Sequence, residues 1–167
     1  SVSVELGIIS FGNKVDYVQP IDAIAKLSIP KLKADSVTPM GEAVELALNE
    51  MMDRITEYKT LGIPFYKPWL ILMTDGEPTD DYRKSAQRLK TLAELEKVIV
   101  FAIGVGANPN MEILNLFCNT KRPPRRLEGL RFAELFTWIK DSLSSVAASF
   151  VDDKIKLPSP EEWIGNN

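Results

Sequence analysis

The sequence has no histidine and only one cysteine, Cys118, among its 167 residues. Without histidine the chain cannot form a Ser-His-Asp or Cys-His catalytic site, a histidine zinc site or the usual proton shuttle. A single cysteine can form neither an internal disulfide nor a thiolate metal cluster. Because Cys118 ends an apolar segment, we interpret it as a buried structural thiol rather than a nucleophile.

Long apolar runs and a strong net charge are also absent. No stretch approaches the roughly 20 apolar residues of a membrane span, and no signal peptide opens the sequence. The net charge of −3 gives no general attraction to nucleic acid or to anionic membranes. We therefore expect a cytoplasmic protein without nucleic-acid or membrane partners, large enough for one domain with a real core.

The most informative segment is an apolar run, Trp69 to Met73, that leads directly into a loop rich in oxygen-bearing side chains. Such a run predicts a buried strand of a parallel sheet, because both of its faces are covered. Ligands of open α/β sheets bind beyond the carboxyl ends of the strands, so we expect Asp75 at a ligand site. The alternative is a plain turn in which the Asp75 carboxylate bonds its own loop backbone.

Predicted strands and helices alternate along the chain. The pattern around Gly12-Asn13 predicts an antiparallel hairpin, with strands over 4–11 and 14–19 and Pro20 ending the second strand. Further strands are predicted over 68–74, 97–104 and 125–127, and helices over 21–27, 40–58, 82–96, 111–118 and 132–148. This order predicts an α/β fold with a mainly parallel sheet and one antiparallel hairpin strand at its edge. In the polar tail, Trp163 is expected to dock on the domain or on a neighbour.

Two loops carry the candidate chemistry. Thr38 lies at a predicted helix start and Asp75 at a predicted strand end, and the topology places both on the same rim of the sheet. A hydroxyl and a carboxylate suit a hard cation such as Mg²⁺, while the helix amino end would also favour an acidic partner. Thr38 is in addition predicted to cap the helix. We interpret Glu77, Asp80 and Asp81 as a solvated rim, with the two aspartates as charges at the start of the next helix.

Three segments together resemble one known family, the von Willebrand factor A domain. The third metal loop of that family is similar to the segment Thr74-Asp75-Gly76-Glu77-Pro78-Thr79-Asp80, which follows Leu70-Ile71-Leu72-Met73. The second metal loop resembles Thr38-Pro39-Met40-Gly41-Glu42-Ala43. The family's next strand resembles Val100-Phe101-Ala102-Ile103-Gly104-Val105-Gly106. Within the family, Pro68-Trp69 and Leu127-Glu128-Gly129-Leu130-Arg131-Phe132 resemble the bacterial TerY-type domains linked to tellurium resistance.

The resemblance implies a doubly wound, Rossmann-like domain over residues 1–150, followed by a tail over 151–167. It also implies a metal-ion-dependent adhesion site, in which the residue matching Thr38 binds Mg²⁺ directly or through water. The residue matching Asp75 usually acts through water. A protein partner with an exposed Asp or Glu completes the coordination of the metal.

One part of the family pattern does not occur in this sequence. The first metal loop, Asp-x-Ser-x-Ser at the end of the first and central strand, is absent, and the chain begins at what resembles the second strand. Ser1-Val2-Ser3 offers hydroxyls, but it precedes a strand instead of following one. Thr38 and Asp75 alone are too few for the near-ideal six-fold coordination of tight Mg²⁺ binding. We expect upstream sequence or another chain to supply the missing strand and ligands in the intact protein.

These observations predict a protein-interaction module that is not an enzyme, and the resemblance to TerY-type domains implies a role in tellurite or metal-stress resistance. Two alternatives stay open. A Mg²⁺-dependent phosphohydrolase would use Asp75 as nucleophile or ligand and needs a second nearby carboxylate and a phosphate-binding lysine or loop. The sequence shows no Asp-x-Asp at a strand end and no glycine-rich loop ending in Lys-Ser or Lys-Thr. A scaffold without metal would act by surface packing alone.

Overall fold

A computed structural model describes residues 3–26, 37–149 and 155–165. The five strands are β1 (Glu5–Phe11), β2 (Val15–Ala23), β3 (Trp69–Thr74), β4 (Ile99–Gly104) and β5 (Arg125–Arg126). The four α-helices are α1 (Met40–Thr60), α2 (Arg83–Glu94), α3 (Met111–Asn115) and α4 (Phe132–Ala147), and a 3-10 turn covers Ile24–Lys26. Ser1 and Val2 of the Ser1-Val2-Ser3 segment lie outside the described residues. So do Leu27 of the predicted helix over 21–27 and residues 151–154 of the predicted tail.

The predicted hairpin is present, but its second strand is longer than the sequence indicates. β1 pairs antiparallel with β2, from Phe11 opposite Val15 outward. The prediction that Pro20 ends the strand is wrong, because β2 continues to Ala23. The predicted helix over 21–27 is likewise wrong for residues 21–23, which belong to β2, while residues 24–26 form the 3-10 turn. The register of the ladder shifts on both sides of Ile8, and proline is tolerated at such irregular positions because no regular ladder hydrogen bond is lost there.

β3, β4 and β5 form a parallel sheet in that order, with Trp69 opposite Ile99 and Thr74 opposite Gly104. The hairpin is a separate two-stranded sheet. The structure therefore has a three-stranded parallel sheet and a small antiparallel sheet, where the sequence predicts one mixed sheet. A hairpin pattern specifies the pairing of its own two strands, whereas its place beside a third strand depends on contacts distant in sequence.

Both faces of the parallel sheet are covered by helices, as the apolar runs predict. Leu70 and Leu72 join Val100 and Ala102 in a core cluster with α1 and α2. Ile71 and Met73 point to the opposite face, where they pack with α4. This alternation along β3 follows from the two-residue period of a strand. It accounts for a strand in which every residue from Trp69 to Met73 is apolar.

α3 is shorter than predicted, because it ends at Asn115 rather than at Cys118. Cys118 itself is buried, and burial raises the pKa of its thiol to about 11. A thiol with so high a pKa is almost entirely protonated at neutral pH and is a poor nucleophile. The predicted structural role of Cys118 fits this environment.

The tail segment 155–165 packs on the domain. Trp163 is 2% exposed, and its ring centroid lies 5.4 Å from that of Trp138. The Trp138 indole donates a hydrogen bond to the Pro158 carbonyl at 2.9 Å. Ile164 forms an antiparallel bridge with Leu127, just beyond β5. The sequence left open whether Trp163 docks on the domain or on a neighbour. In the structure it packs on the domain.

No helix in the part of the chain described here combines the length and apolar character that crossing a bilayer requires.

Candidate functional site

The loops that follow β3 and β4 meet the segment before α1 at one rim of the parallel sheet. A methyl group on Gly76 would lie 3.0 Å from the Thr38 hydroxyl oxygen, and one on Gly106 would lie 3.7 Å from Cβ of Asp75. The structure therefore brings the loops of Thr38 and Asp75 together. Because α1 is antiparallel to β3, its first turn lies at the carboxyl end of that strand.

Backbone hydrogen bonds join the two loops directly. The Thr79 N–H donates to the Thr38 carbonyl at 2.9 Å, and the Thr38 N–H donates to the Thr79 hydroxyl at 3.1 Å. These two bonds hold Thr38 in place from a loop distant in sequence. The position of the Thr38 side chain is thus coupled to the loop that carries Asp75.

Asp80 caps α1, and the prediction that Thr38 does so is wrong. The N-cap residue is Pro39, which has no side-chain donor or acceptor. Instead the Asp80 carboxylate accepts hydrogen bonds from the N–H groups of Gly41 at 3.0 Å and Glu42 at 2.8 Å. Since Asp80 is thereby engaged at the start of α1, its interpretation as a charge at the start of α2 is also corrected. The positive end of α1 is already matched by this carboxylate and is not free for an acidic partner.

The turn at Asp75 is held by its neighbour and not by Asp75 itself. The Thr74 hydroxyl accepts a hydrogen bond from the Gly76 N–H at 3.2 Å, and Thr74 is 8% exposed. Asp75 is exposed, and within the described residues its carboxylate has no hydrogen bond or ion pair. The alternative in which Asp75 bonds its own loop is therefore not realised, and its oxygens remain available to a ligand.

Two further residues border the rim. The Glu77 carboxylate accepts a hydrogen bond from the Asn110 amide at 2.9 Å, which ties the loop after β3 to the loop after β4. The Arg126 guanidinium donates to the carbonyls of Gly106 and Ala107. Arg126 belongs to the strand that the sequence predicts over 125–127. Only the pairing of β5 with β4 shows that it lies beside the Asp75 loop.

The chemistry of this rim is that of hard oxygen ligands. A threonine hydroxyl and an exposed carboxylate suit Mg²⁺, but Mg²⁺ demands six ligands in near-octahedral geometry. Residues 3–26, 37–149 and 155–165 contain no group of three histidine, cysteine, aspartate or glutamate side chains placed to hold a metal. The donor types fit Mg²⁺, while the number of donors is that of a partial site.

Comparison with known proteins gives one match. The family model of the von Willebrand factor type A domain matches residues 2–134. That range includes both rim loops and every strand. No curated protein and no solved structure shows significant similarity to the chain.

Proposed function

The chain belongs to the von Willebrand factor type A domain family, and we propose that it binds an acidic group of a protein partner through Mg²⁺. Domains of this family are commonly protein-interaction modules and are usually not enzymes. The single observation that carries the proposal is the position of the unpaired Asp75 carboxylate beside the Thr38 loop. In this proposal Thr38 binds the metal directly or through water, and Asp75 acts through a water molecule.

A Mg²⁺ ion needs more donors than Thr38 and Asp75 can account for. Thr38, directly or through water, and a water molecule held by Asp75 account for two of six positions, and a partner carboxylate provides a third. The remaining donors come from a strand and loop contributed by upstream sequence or by another chain. Mg²⁺ supplies positive charge for the partner carboxylate, while the Asp80 cap and the Thr79 bonds keep the two chain donors in place.

A cellular role belongs to the same proposal. The likeness of Pro68-Trp69 and of residues 127–132 to TerY-type domains supports a cytoplasmic role in tellurite or metal-stress resistance. A strain lacking the gene should then be more sensitive to tellurite, and a gene encoding Asp75→Ala should fail to restore resistance. Equal tellurite sensitivity of the parent strain and the strain lacking the gene would contradict this role. It would leave the proposed metal bridge untouched.

Calorimetry on the full-length protein tests the metal bridge. Asp75→Ala and Thr38→Ala should each weaken Mg²⁺ binding by about tenfold or more, because each removes a group that positions the ion or its water. Asp81→Ala is the matched control, since among the described residues this exposed carboxylate bonds only Arg83, and the variant should bind Mg²⁺ like the parent. If the full-length protein binds neither Mg²⁺ nor Mn²⁺, the metal bridge is wrong and the metal-free scaffold is favoured.

A phosphatase assay tests separately whether the chain is an enzyme. The proposal expects no hydrolysis of p-nitrophenyl phosphate above the rate of the Asp75→Ala variant. Hydrolysis that requires Mg²⁺ and disappears in Asp75→Ala would replace the interaction module with the phosphohydrolase alternative.

A further inference from the structure

A pocket of about 280 Å³ lies between β4, α4 and the tail segment 155–165. It is separate from the rim, since neither Thr38 nor Asp75 is among its described lining residues. Most of the lining is apolar, and the charged groups come from the chain between residues 121 and 125. A concave, mostly apolar surface with a few polar groups is typical of a site for a small molecule.

Buried aromatic side chains form the floor of the pocket. The Phe101 and Trp138 rings meet edge to face with their centroids 5.3 Å apart, and Trp163 packs on the Trp138 ring. β4 adds three buried apolar lining residues, Val100, Ala102 and Ile103. Such a floor favours a flat apolar molecule, because aromatic rings attract one another in stacked and edge-to-face arrangements and because binding removes apolar surface from water.

The mouth of the pocket is positively charged. Its three charged residues, all of them exposed, are Lys121, Arg122 and Arg125, and the described lining contains no aspartate or glutamate. Lys121 is already paired with Glu96 at 2.6 Å, whereas the Arg122 and Arg125 side chains form no ion pair among the described residues. In a chain of net charge −3, this local excess of positive charge favours an anionic ligand.

The Trp163 indole carries a further donor. Its Nε1 atom is buried and has no hydrogen-bond partner among the described residues, whereas the Trp138 indole bonds the Pro158 carbonyl. A buried N–H group without an acceptor costs free energy. Because Trp163 lines the pocket, an acceptor atom of a molecule bound there is a source of the missing partner.

We propose that this pocket binds a small organic anion, with a flat aromatic body on the floor and a carboxylate at the mouth. The planar guanidinium groups of Arg122 and Arg125 suit a carboxylate, which they bind through parallel hydrogen bonds. An inorganic anion would leave the aromatic floor in water, and an uncharged aromatic molecule would leave both arginines unpaired. The site uses no residue of the rim and no metal, so it is additional to the proposed Mg²⁺ bridge.

Calorimetry on the full chain in EDTA tests the proposal, with naphthoate as the probe. Naphthylmethanol has the same ring system without a charge, and naphthylmethylammonium has the opposite charge. Naphthoate should bind at least about tenfold more tightly than the alcohol, because only the carboxylate gains charge-assisted hydrogen bonds, and the ammonium probe should bind least. Equal binding of the three probes would overturn the proposal in favour of an apolar pocket that does not select for charge.

Inorganic phosphate separates the floor from the mouth. It should bind more weakly than naphthoate, because it gains nothing from the aromatic residues. Phosphate binding as tight as that of naphthoate would overturn the proposal in favour of a simple anion site on the exposed arginines.

Matched arginine variants test the role of the mouth. Arg122→Gln combined with Arg125→Gln should weaken naphthoate binding about tenfold or more and leave naphthylmethanol binding unchanged, a difference that general unfolding would not produce. Arg83→Gln is the control, since Arg83 is an exposed arginine of α2 outside the described lining, and it should bind naphthoate like the parent. Normal naphthoate binding by the double variant would overturn the proposal.

Nuclear magnetic resonance locates the bound probe. Naphthoate should shift the signal of the Trp163 indole N–H and the amide signals of the β4 residues that line the pocket. The amides of α1, which contributes no described lining residue, should keep their positions. Shifts confined to α1 or to the rim, with none at Trp163, would place the probe elsewhere and overturn the proposal.

Discussion

Asp80 stabilises the first turn of α1 from a loop that follows β3. A helix leaves its first backbone N–H groups without partners inside the helix, and here two of them bond the Asp80 carboxylate. The bonds are charge-assisted, and the negative group lies at the positive end of the helix dipole. One side chain thereby fixes both the start of α1 and the position of the Asp75 loop relative to Thr38.

Replacing Asp80 with alanine should lower the free energy of unfolding by about 1–2 kcal/mol, the usual effect of losing a side-chain cap. Asp80→Asn should lose less, because its amide oxygen still accepts one hydrogen bond. Urea denaturation measures both values. Asp81→Ala is the comparison and should lose less than Asp80→Ala, since the exposed Asp81 carboxylate accepts only one long backbone hydrogen bond among the described residues, from the Arg83 N–H at 3.3 Å. Equal losses at the two positions would show that Asp80 does not cap α1.

The tail segment 155–165 behaves as a structural element, although it contains no regular strand of its own. Its backbone bonds the chain after β5, with the Glu128 N–H donating to the Trp163 carbonyl at 2.9 Å and the Gly165 N–H to the Arg126 carbonyl at 2.9 Å. Trp163 then inserts beside Trp138 in the cluster that covers one face of β4. The tail thus covers the β5 side of the sheet, at the edge opposite β3.

Replacing Trp163 with alanine should destabilise the chain by about 3–5 kcal/mol, because it removes a fully buried aromatic side chain. Thermal unfolding followed by near-ultraviolet circular dichroism measures the effect and reports the loss of the Trp138–Trp163 contact. Phe136→Ala is the control, since Phe136 is 53% exposed, and it should shift the midpoint only slightly. If Trp163→Ala were as stable as the parent chain, the tail would not pack on the domain in solution.

At the scale of the whole molecule, two sheets share one helix. α1 packs on the hairpin and on the core of the parallel sheet, while no ladder joins the two sheets among the described residues. No residue of β1 or β2 is fully buried, whereas four of the six residues of β4 are. A two-stranded hairpin with so little burial has little stability of its own.

Native-state hydrogen exchange should therefore show two opening units. Hydrogen-bonded amides of β1 and β2 are expected to exchange at least about tenfold faster than those of β4, which pairs with β3 along its whole length and with β5 at its carboxyl end. Nuclear magnetic resonance resolves the two sets. Identical protection of hairpin and parallel sheet would show that the molecule opens as one cooperative unit.

Local patterns account for most of the elements. The apolar runs of β3 and β4 and the helical periodicities of α1, α2 and α4 were sufficient to place these elements within a few residues of their bounds. The Gly12-Asn13 turn was sufficient for the hairpin. The prediction that Pro20 ends β2 was wrong. The ladder is irregular beside Ile8, so proline, which has no N–H to donate, breaks no regular ladder hydrogen bond there.

The candidate site was only partly visible in the sequence. Thr38 and Asp75 stand at a helix start and a strand end, and parallel topology brings such positions to one rim. Asp80 was assigned to a solvated rim, because its partner Gly41 lies 39 positions away in the chain. No local pattern reports a contact over such distances.

The sequence by itself determined which segments form strands and helices, the family to which the chain belongs and the oxygen-rich character of the rim, because these depend on residue type and short-range spacing. Only the tertiary structure decided that the hairpin is separate from the parallel sheet and that Asp80 caps α1. It also decided that Trp163 packs against Trp138. Those features arise from packing and hydrogen bonding between residues distant in the chain, where burial and geometry, rather than local preference, determine which groups meet.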